Sequence, residues 1–321
     1  MISPDLPPAL RAALEQRAHG MSRTDGAARA ATISQTYRGG GNSAAIRTGA
    51  DALAYALARM PATYAAVAAS LNALNGQRPD FAPASLLDVG AGPGTATWAA
   101  ARAYDSLVTP TLIDSNAALR ALALQLADEQ ARPIAYRQGT VADLDAAPAA
   151  DLVIASYLIG ELDEATRAAL ATTLWAQTRE VLLVVEPGTP DGYARIMTLR
   201  ARLIAQGAHV IAPCPHDGAC PLAPPDWCHF TQRLARSRTH KHLKRGELPF
   251  EDEKFIYVAL SRTHPATRPA RVLAQPVMGK ADIRARLCTE AGVTVAIAPR
   301  RDKAAYARFR RLRWGDAVPE V

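Results

Sequence analysis

The sequence has no apolar run long enough to cross a membrane, because a spanning helix needs about 20 consecutive apolar residues. Its first stretch, MISPDLPPALRAALEQ, also lacks the basic start and apolar core of a secretory signal. These absences exclude the membrane-spanning class of proteins. We expect a cytoplasmic protein that has no contact with a membrane.

Cysteine is scarce, with four residues in a chain of 321. In the reducing cytoplasm, a framework of stabilising disulfides is disfavoured. Three of the four, Cys214, Cys220 and Cys228, lie in one proline-rich segment, and Cys288 follows much later. The thiols are therefore candidates for metal binding or catalysis rather than for cross-linking.

Lysine is absent before Lys241, and positive charge is concentrated late in the chain. Residues 231–321 contain 20 Lys and Arg against 9 Asp and Glu, a net charge of +11, whereas residues 1–230 contain 17 against 21, a net charge of −4. Such a basic region favours a polyanionic partner, in particular nucleic acid. A basic surface that has no partner is the alternative.

A glycine-rich segment, SLLDVGAGPGTATWAA at residues 85–100, organises the rest of the chain. The apolar run before the glycines predicts a buried strand, and the residues after them predict a helix. A strand, a glycine turn and a helix in this order form the first half of a nucleotide-binding βα unit. Glycine is needed there because a Cβ would block the close approach of a ligand to the backbone.

The spacing of this segment, D-x-G-x-G-x-G over Asp88, Gly90, Gly92 and Gly94, resembles motif I of the class I S-adenosylmethionine (SAM) methyltransferases. Twenty residues beyond the last glycine, an apolar run ends in Asp114, at the position where an acid holds a ribose diol. We therefore predict that these five residues bind SAM. A nicotinamide dinucleotide, whose fingerprint is G-x-G-x-x-G, and an unrelated glycine turn are the alternatives.

The alternation of predicted strands and helices gives an α/β fold class with a class I SAM-methyltransferase (Rossmann-like) sheet. We expect a helical N-terminal region at residues 1–80, a methyltransferase domain at 81–262, and a small basic, β-rich extension at 263–321. The second unit includes a cysteine-rich and basic insertion at 212–246. In the first region, Pro61 is expected to begin a new helix, because proline fits the first helical position.

The predicted strand ends bring polar residues to one crevice, because ligands of doubly wound sheets bind beyond the carboxyl ends of the strands. Gly90, Asp114, Asp143, Ser156 and Glu186 are expected around it. In the methyltransferase pattern, an acid at the position of Asp143 reaches the adenine amino group of SAM. The fourth strand lacks the Asn- or Asp-Pro-Pro-aromatic run that is common in amino-methylating enzymes. The sequence thus supports a SAM site better than a transfer reaction, and it assigns no catalytic residue.

The cysteine-rich segment has wide and irregular spacing. Five residues separate Cys214 from Cys220, and seven separate Cys220 from Cys228. Neither interval fits zinc loops, which place about 2–4 residues between paired ligands. Prolines beside the thiols suit an iron–sulfur cluster, which needs four cysteine ligands, and Cys288 is the one cysteine left to complete the set. Zinc is the alternative metal.

Three further interpretations of the segment stay open. In the first, His216 or His229 replaces one cysteine ligand, and in the second the cysteines are reduced thiols without a metal. In the third, Cys214 is the nucleophile of a cytosine-C5 methyltransferase and adds to C6 of the base before methyl transfer. Radical SAM chemistry is disfavoured, because the chain lacks a C-x3-C-x2-C run.

A basic run without acids follows the third cysteine. Its six cations are typical of a segment that contacts phosphates, and a solvated face is the alternative. The predicted RNA-binding residues are Arg233, Arg236, Arg238, Lys241, Lys244 and Arg245.

Together these motifs resemble the methyltransferase-like proteins associated with the mitochondrial small ribosomal subunit and their bacterial relatives. The likeness covers most of the chain, and the cysteine segment and DWCHF are its most specific features. The matching segments are DALAY at 51–55, RMPATY at 59–64, the glycine motif, CPH at 214–216, CP at 220–221, DWCHF at 226–230, the basic run, and FEDEKF at 250–255.

The resemblance implies a SAM-binding fold, a 4Fe–4S cluster on Cys214, Cys220, Cys228 and Cys288, and action on the small ribosomal subunit or its rRNA during assembly. The protein is then a SAM-dependent rRNA methyltransferase or a non-catalytic assembly factor that binds SAM and RNA. The motifs do not decide between these two. An iron–sulfur redox protein is a third hypothesis, and we expect a monomer.

Overall fold

The computed structural model describes residues 1–318. Helices and strands alternate through the middle of the chain, whereas its beginning is helical and its end is mostly extended. The α-helices in this part of the chain are α1 (Pro8–Ala18), α2 (Arg23–Arg38), α3 (Gly49–Gln77), α4 (Thr95–Ala103), α5 (Ala117–Glu129), α6 (Glu164–Gln177), α7 (Pro190–Ile204), α8 (Arg238–Leu243) and α9 (Lys303–Phe309). The strands are β1 (Leu86–Val89), β2 (Thr111–Asp114), β3 (Ala135–Gln138), β4 (Ala150–Ser156), β5 (Thr178–Pro187), β6 (His209–Ala212), β7 (Phe230–Ala235), β8 (Phe250–Ser261), β9 (Ala270–Val272), β10 (Val277–Met278), β11 (Asp282–Thr289), β12 (Gly292–Pro299) and β13 (Ala317–Val318).

The N-terminal region packs around one long and largely buried helix, α3. This helix starts at a capping box, in which the side chains of Thr48 and Asp51 each accept a hydrogen bond from the other residue's backbone N–H. Pro61 lies inside α3, so the prediction that it begins a new helix is wrong. Proline removes one hydrogen bond of the helix, and the tertiary packing of neighbours such as Met60 and Tyr64 offsets that loss.

The main sheet follows the order β3-β2-β1-β4-β5-β8-β6, with β7 paired to β8. Strands β1 to β5 are parallel, and β8 runs antiparallel to β5. All of β1 and five of the seven residues of β4 are buried, as in a sheet that is covered on both faces. This arrangement confirms the predicted α/β fold with a class I SAM-methyltransferase sheet, and it puts the glycine turn at the carboxyl edge of β1.

The two halves of the long strand β8 pair with different neighbouring strands. Phe255–Ser261 pairs with β5, and Phe250–Phe255 pairs with β7. Strand β7 occupies the start of the basic run, in a stretch where the sequence analysis identified only a phosphate-contacting segment. Phe230 and Leu234 are buried there, whereas Arg233 between them is exposed. The basic run therefore begins as an edge strand of the main sheet.

The end of the chain forms a second, antiparallel sheet in the order β10-β11-β9-β13, with β12 paired to β11. It has a core of its own, which includes Val272, Ile283, Leu287 and Phe309. Within residues 1–318, no helix has both the length and the apolar character that crossing a bilayer requires. The second sheet meets the main unit at the cysteine-rich loop, where the candidate metal site lies.

Candidate cofactor and metal sites

The glycine turn after β1 lines the predicted crevice. Gly90 and Gly92 have positive φ angles of 66° and 53°, and both belong to the crevice wall. A Cβ on Gly90 would lie 2.7 Å from the end of the Leu158 side chain, which would have to shift, and the positive φ is the stronger reason for glycine. Gly94 has a φ of 79° as the N-cap of α4 and is not among the lining residues.

Asp114 at the end of β2 is the acid of the crevice that matches the ribose position. Its Oδ2 accepts a hydrogen bond from the Gly92 N–H (2.9 Å), and its Oδ1 accepts one from the Asn116 N–H (2.7 Å). Burial raises the pKa of Asp114, and these two N–H donors act against the rise. A carboxylate has about four acceptor positions, so Asp114 keeps lone pairs for a bound diol.

Asp88 and Asp143 do not line the crevice. Asp88 is fully buried, and its Oδ2 accepts hydrogen bonds from the Thr97 N–H (3.0 Å) and hydroxyl (2.7 Å). Burial raises the pKa of Asp88 to about 6. The carboxylate of Asp143 accepts a hydrogen bond from the Thr140 N–H (2.7 Å) and caps a short 3₁₀ turn. Asp88 therefore supports the turn from within the core, and the adenine contact of Asp143 stays a prediction.

The crevice has a roof that the sequence analysis missed, formed by residues 42–46 between α2 and α3. The side-chain amide of Asn116 donates to the carbonyl oxygens of Ser43 (2.8 Å) and Ile46 (2.9 Å). On the other side, Glu161 Oε2 accepts a hydrogen bond from the Ser43 N–H (3.1 Å). These partners lie 70 to 118 residues away from the roof in the chain, so no local pattern indicates them.

The charge of the crevice is one-sided. Asp114 and Glu161 are the acids of its lining, and none of the lining residues in the described chain is Lys, Arg or His. Burial raises the pKa of Glu161 to about 7. Two phenol rings, Tyr37 and Tyr55, also form part of the wall. The crevice therefore suits a ligand that carries positive charge.

Two residues at the end of β4 form part of the crevice wall, and the Tyr157 hydroxyl among them is already hydrogen-bonded within the protein. Ser156 and Tyr157 line the crevice, and Tyr157 has a φ of 56°, which is unusual for a bulky residue. The Tyr157 hydroxyl donates to Glu253 Oε1 (2.8 Å). Glu186, also predicted at the crevice, is instead fully buried and forms an ion pair with Arg195 (3.2 Å). Burial raises the pKa of Glu186 to about 7.

The four cysteines line one cavity where the two sheets meet. Cys214, Cys220 and Cys228 belong to the loop between β6 and β7, and Cys288 lies on β11 of the second sheet. His216 lines the same cavity, with its Nε2 atom 3.9 Å from the Sγ atom of Cys288. The fold thus gathers the complete set of predicted metal ligands, together with one of the two candidate histidines.

The four thiols suit more than one metal. Four thiolates around one zinc ion have sulfurs about 3.8 Å apart, because the Zn–S distance is about 2.3 Å in a tetrahedral site. Within residues 1–318, only His209, Asp217 and His264 bring three ligand atoms within 4.8 Å of one another, so the cysteine sulfurs would have to move closer together to hold one zinc ion. The donor set itself suits either zinc or an iron–sulfur cluster. The other candidate histidine, His229, stacks on Trp227 and does not line the cavity.

Burial raises the pKa of three of the cysteine thiols, and repulsion from neighbouring thiols adds to this rise. The pKa of Cys288 rises to about 12, and those of Cys214 and Cys228 rise as well. These three thiols are therefore protonated at neutral pH unless a metal supplies positive charge. A nucleophilic cysteine needs a lowered pKa, which disfavours Cys214 as the nucleophile of a cytosine-C5 methyltransferase.

The predicted RNA-binding residues divide into two groups. Arg233 pairs with Asp252 (2.7 Å), and Arg236 and Lys244 both pair with Glu251. The members of the run that form no ion pair within residues 1–318 are Arg238, Lys241 and Arg245. These three lie on or next to α8 and are at least partly exposed.

The chain matches a family model along most of its length. The model, described as mitochondrial small ribosomal subunit Rsm22, covers residues 49–319. The chain belongs to the Rsm22 family. This result confirms the resemblance drawn from the glycine, cysteine and DWCHF motifs.

Curated relatives in the Rsm22 family carry mitochondrial names. The human protein "Ribosome assembly protein METTL17, mitochondrial" is 30% identical over 300 residues, which cover 83% of this chain and 62% of that protein. The Rsm22-cox11 tandem protein 2 of Schizosaccharomyces pombe is 23% identical over 330 residues, which cover 85% of this chain and 43% of that protein. The chain therefore spans less than two thirds of either relative.

The solved structures that are similar include methyltransferases. Magnesium protoporphyrin IX methyltransferase from Synechocystis, with bound SAM, is 13% identical with a TM-score of 0.41, over 63% of this chain and 80% of that chain. Ribosomal protein L11 methylase from Lactobacillus delbrueckii subsp. bulgaricus is 16% identical with a TM-score of 0.39, over 61% and 77%. Likenesses at this level carry no conclusion about substrate or activity.

Proposed function

We propose that this protein binds SAM in its crevice and acts on the small ribosomal subunit during assembly, as an rRNA methyltransferase or a methyltransferase-like factor. The charge of the crevice carries the proposal, because Asp114 and Glu161 line it beside a glycine turn and no lining residue is basic. SAM has a sulfonium and an ammonium group and suits such a wall. A dinucleotide would instead bring a pyrophosphate next to two carboxylates.

In this proposal the chain's own residues bind and orient the cofactor. The free lone pairs of Asp114 accept hydrogen bonds from the ribose hydroxyls, and the turn at Gly90 and Gly92 lets the cofactor approach the backbone closely. Glu161 balances positive charge on the ligand. SAM supplies an activated methyl group, so the protein need only orient an acceptor and exclude water.

We also propose a 4Fe–4S cluster in the cysteine cavity. Two observations support it: four cysteines line one cavity, and the sequence intervals between the first three do not match those of zinc loops. A bound cluster would hold the thiols as thiolates and join the cysteine-rich loop to the second sheet. Protein purified without oxygen should contain about four iron and four sulfide per chain. One zinc and no sulfide would overturn the cluster.

The small-subunit partner is supported by the family and by charge. The family model carries the name of a small ribosomal subunit protein, and METTL17 is named as a ribosome assembly protein. In this chain the exposed cations around α8 supply a surface for RNA phosphates. A cytoplasmic location and a monomeric state stay predictions, which cell fractionation and light scattering would test.

A non-catalytic assembly factor is the second candidate, and the end of β4 favours it. The Tyr157 hydroxyl is bound to Glu253, and Glu186 is held by Arg195. Glu253 and Glu186 are therefore engaged in internal bonds, and neither lines the crevice. The end of β4 also lacks the Asn- or Asp-Pro-Pro-aromatic run that is common in amino-methylating enzymes and grips the target nitrogen.

Two measurements on the same protein separate the candidates. The first is SAM binding by calorimetry, in which Asp114→Asn should weaken affinity at least tenfold and the exposed control Asp145→Asn should not. The second is the incorporation of labelled methyl groups into small ribosomal subunits. Binding with incorporation identifies a methyltransferase, whereas binding without incorporation identifies the non-catalytic factor. If the wild-type protein fails to bind SAM, the proposal is wrong.

A further inference from the structure

Two arginine side chains are buried without any acidic partner. Arg200 on α7 and Arg271 on β9 are each 3% exposed. Neither forms an ion pair with any carboxylate in residues 1–318, although most other buried or half-buried arginines of the chain do. A guanidinium keeps its charge in proteins, and a buried charge without a counter-charge is strongly unfavourable. The position of these two residues therefore needs a negative group that the polypeptide itself does not supply.

Backbone carbonyl oxygens accept hydrogen bonds from only some of the N–H donors of the two guanidinium groups. Arg200 Nη2 donates to the carbonyl oxygen of His216 (2.6 Å), and its Nε atom is buried without a partner. Arg271 Nε donates to the carbonyl oxygen of Pro213 (3.1 Å), and its Nη1 donates to that of Gly315 (2.8 Å). These bonds aim both side chains at the loop that carries the cysteines, but they leave the charges unbalanced.

Both guanidinium groups lie at the cysteine cavity. Arg271 is one of its lining residues. Arg200 is bonded to the backbone of His216, another lining residue, two positions after Cys214. Arg271 is likewise bonded to the backbone of Pro213, which lines the cavity directly before Cys214. The missing negative charge is therefore the one that the four thiols acquire when they become thiolates.

We propose that Arg200 and Arg271 are the counter-charges of an anionic iron–thiolate centre, an inference that rests on the cluster proposed above. An oxidised 4Fe–4S core and its four thiolate ligands together carry about two net negative charges. The two guanidinium groups balance this charge. One arginine comes from the methyltransferase unit and the other from the second sheet. The centre is therefore neutralised only when both parts of the chain are in place.

Counter-charges have a measurable effect on the electron affinity of the centre. Reduction moves one electron from an external reductant such as dithionite to the cluster, which adds a negative charge next to the two guanidinium groups. Their attraction is stronger for the reduced cluster, so they favour reduction. Removing either positive charge should lower the reduction potential.

The test compares neutral and charge-preserving substitutions. Arg200→Gln and Arg271→Gln remove the charge, Arg200→Lys and Arg271→Lys keep it, and Arg202→Gln, on the exposed face of the same helix α7, is the control. Iron and sulfide content and the potential from a dithionite titration are measured on each protein. We expect each Gln variant to lower the equilibrium constant for reduction at least tenfold, which is about 59 mV for one electron, and the Lys and control variants to stay near the wild type.

Each possible result decides the matter. If a Gln variant loses iron while circular dichroism shows an intact fold, the Lys variant should retain it. Full loading with an unchanged potential in both Gln variants overturns the inference, and so does equal loss of iron in the Gln and Lys variants. Failure of the cluster itself is distinct, because the wild-type protein would then lack iron and sulfide before any arginine is changed.

Discussion

At the scale of single residues, Glu161 should make SAM binding depend on pH. Burial gives its carboxyl group a pKa of about 7, so the carboxylate that attracts the cationic cofactor is lost as the pH falls through 7. One pH unit below the pKa, about a tenth of the groups are ionised. We expect the affinity for SAM to fall up to tenfold, about 1.4 kcal/mol, between pH 8.5 and pH 6, as measured by calorimetry.

The control for this prediction is Glu161→Gln, which should bind SAM weakly at every pH. S-adenosylhomocysteine, which lacks the sulfonium charge, should show a smaller pH dependence than SAM with the wild-type protein. An unchanged pH profile in the Glu161→Gln protein would assign the titration to another group.

The glycine turn gives a second prediction at this scale. Gly90 has a φ of 66°, and a Cβ there would lie 2.7 Å from the side chain of Leu158. We expect Gly90→Ala to lower the free energy of unfolding by about 1–3 kcal/mol, as measured by urea denaturation. Gly76→Ala is the matched control, because that glycine is helical with open space around it, and it should stabilise the protein by about 0.4–1 kcal/mol. Equal effects at both positions would contradict the explanation.

At the scale of elements, the sequence predicts those parts whose signals are local. The parallel strands and the glycine turn were predicted because apolar runs and glycine spacing reveal them directly. Strand β7 was not, because an edge strand in which only Phe230 and Leu234 are buried gains its stability from pairing with β8. Pro61 was misinterpreted for a related reason, since packing around α3 overrides the local preference of proline.

The basic run gives a prediction at this scale, because Arg233 on β7 is paired with an acid, whereas the cations on and next to α8 that form no ion pair within residues 1–318 are available for phosphates. Neutralising Arg238, Lys241 and Arg245 together by glutamine should weaken RNA binding and reduce the slope of log affinity against log salt by about 2, at about 0.7 per phosphate contact for single strands. Arg233→Gln is the control, because its side chain is paired with Asp252, and it should leave the slope nearly unchanged. Fluorescence anisotropy with a small-subunit rRNA fragment measures both. A larger effect of Arg233→Gln would reverse the assignment.

At the scale of the whole molecule, two hydrophobic cores meet at the cysteine cavity. The second sheet has its own core, and two ion pairs join the cysteine-rich loop to this end of the chain: Asp226 with Arg286 on β11 (2.6 Å), and Asp217 with Arg268 in the connection before β9 (2.5 Å). The number of cysteines in the sequence is enough to predict which thiols gather at the cavity. It could not indicate that Cys288 comes from a separate sheet, because the meeting of two sheets is a tertiary property.

This junction predicts how the chain responds to loss of a ligand. Cys288→Ser should weaken the attachment of the second sheet, because metal ligation contributes to folding free energy. Limited proteolysis should then cut the connection between β8 and β9 and release a C-terminal fragment that mass spectrometry identifies. The exposed control Thr294→Ser on β12 should digest like the wild type. Identical digestion of the Cys288→Ser protein would show that the ion pairs alone hold the junction.

The roof over the crevice has a consequence for the timing of cofactor exchange. Asn116 attaches it to the loop after β2, and Glu161 attaches it to the loop after β4. Any movement of residues 42–46 away from the crevice must break these three hydrogen bonds. Asn116→Ala, which removes two of them, should therefore speed cofactor association and dissociation together if exchange passes beneath this segment, and should leave both rates unchanged if it does not.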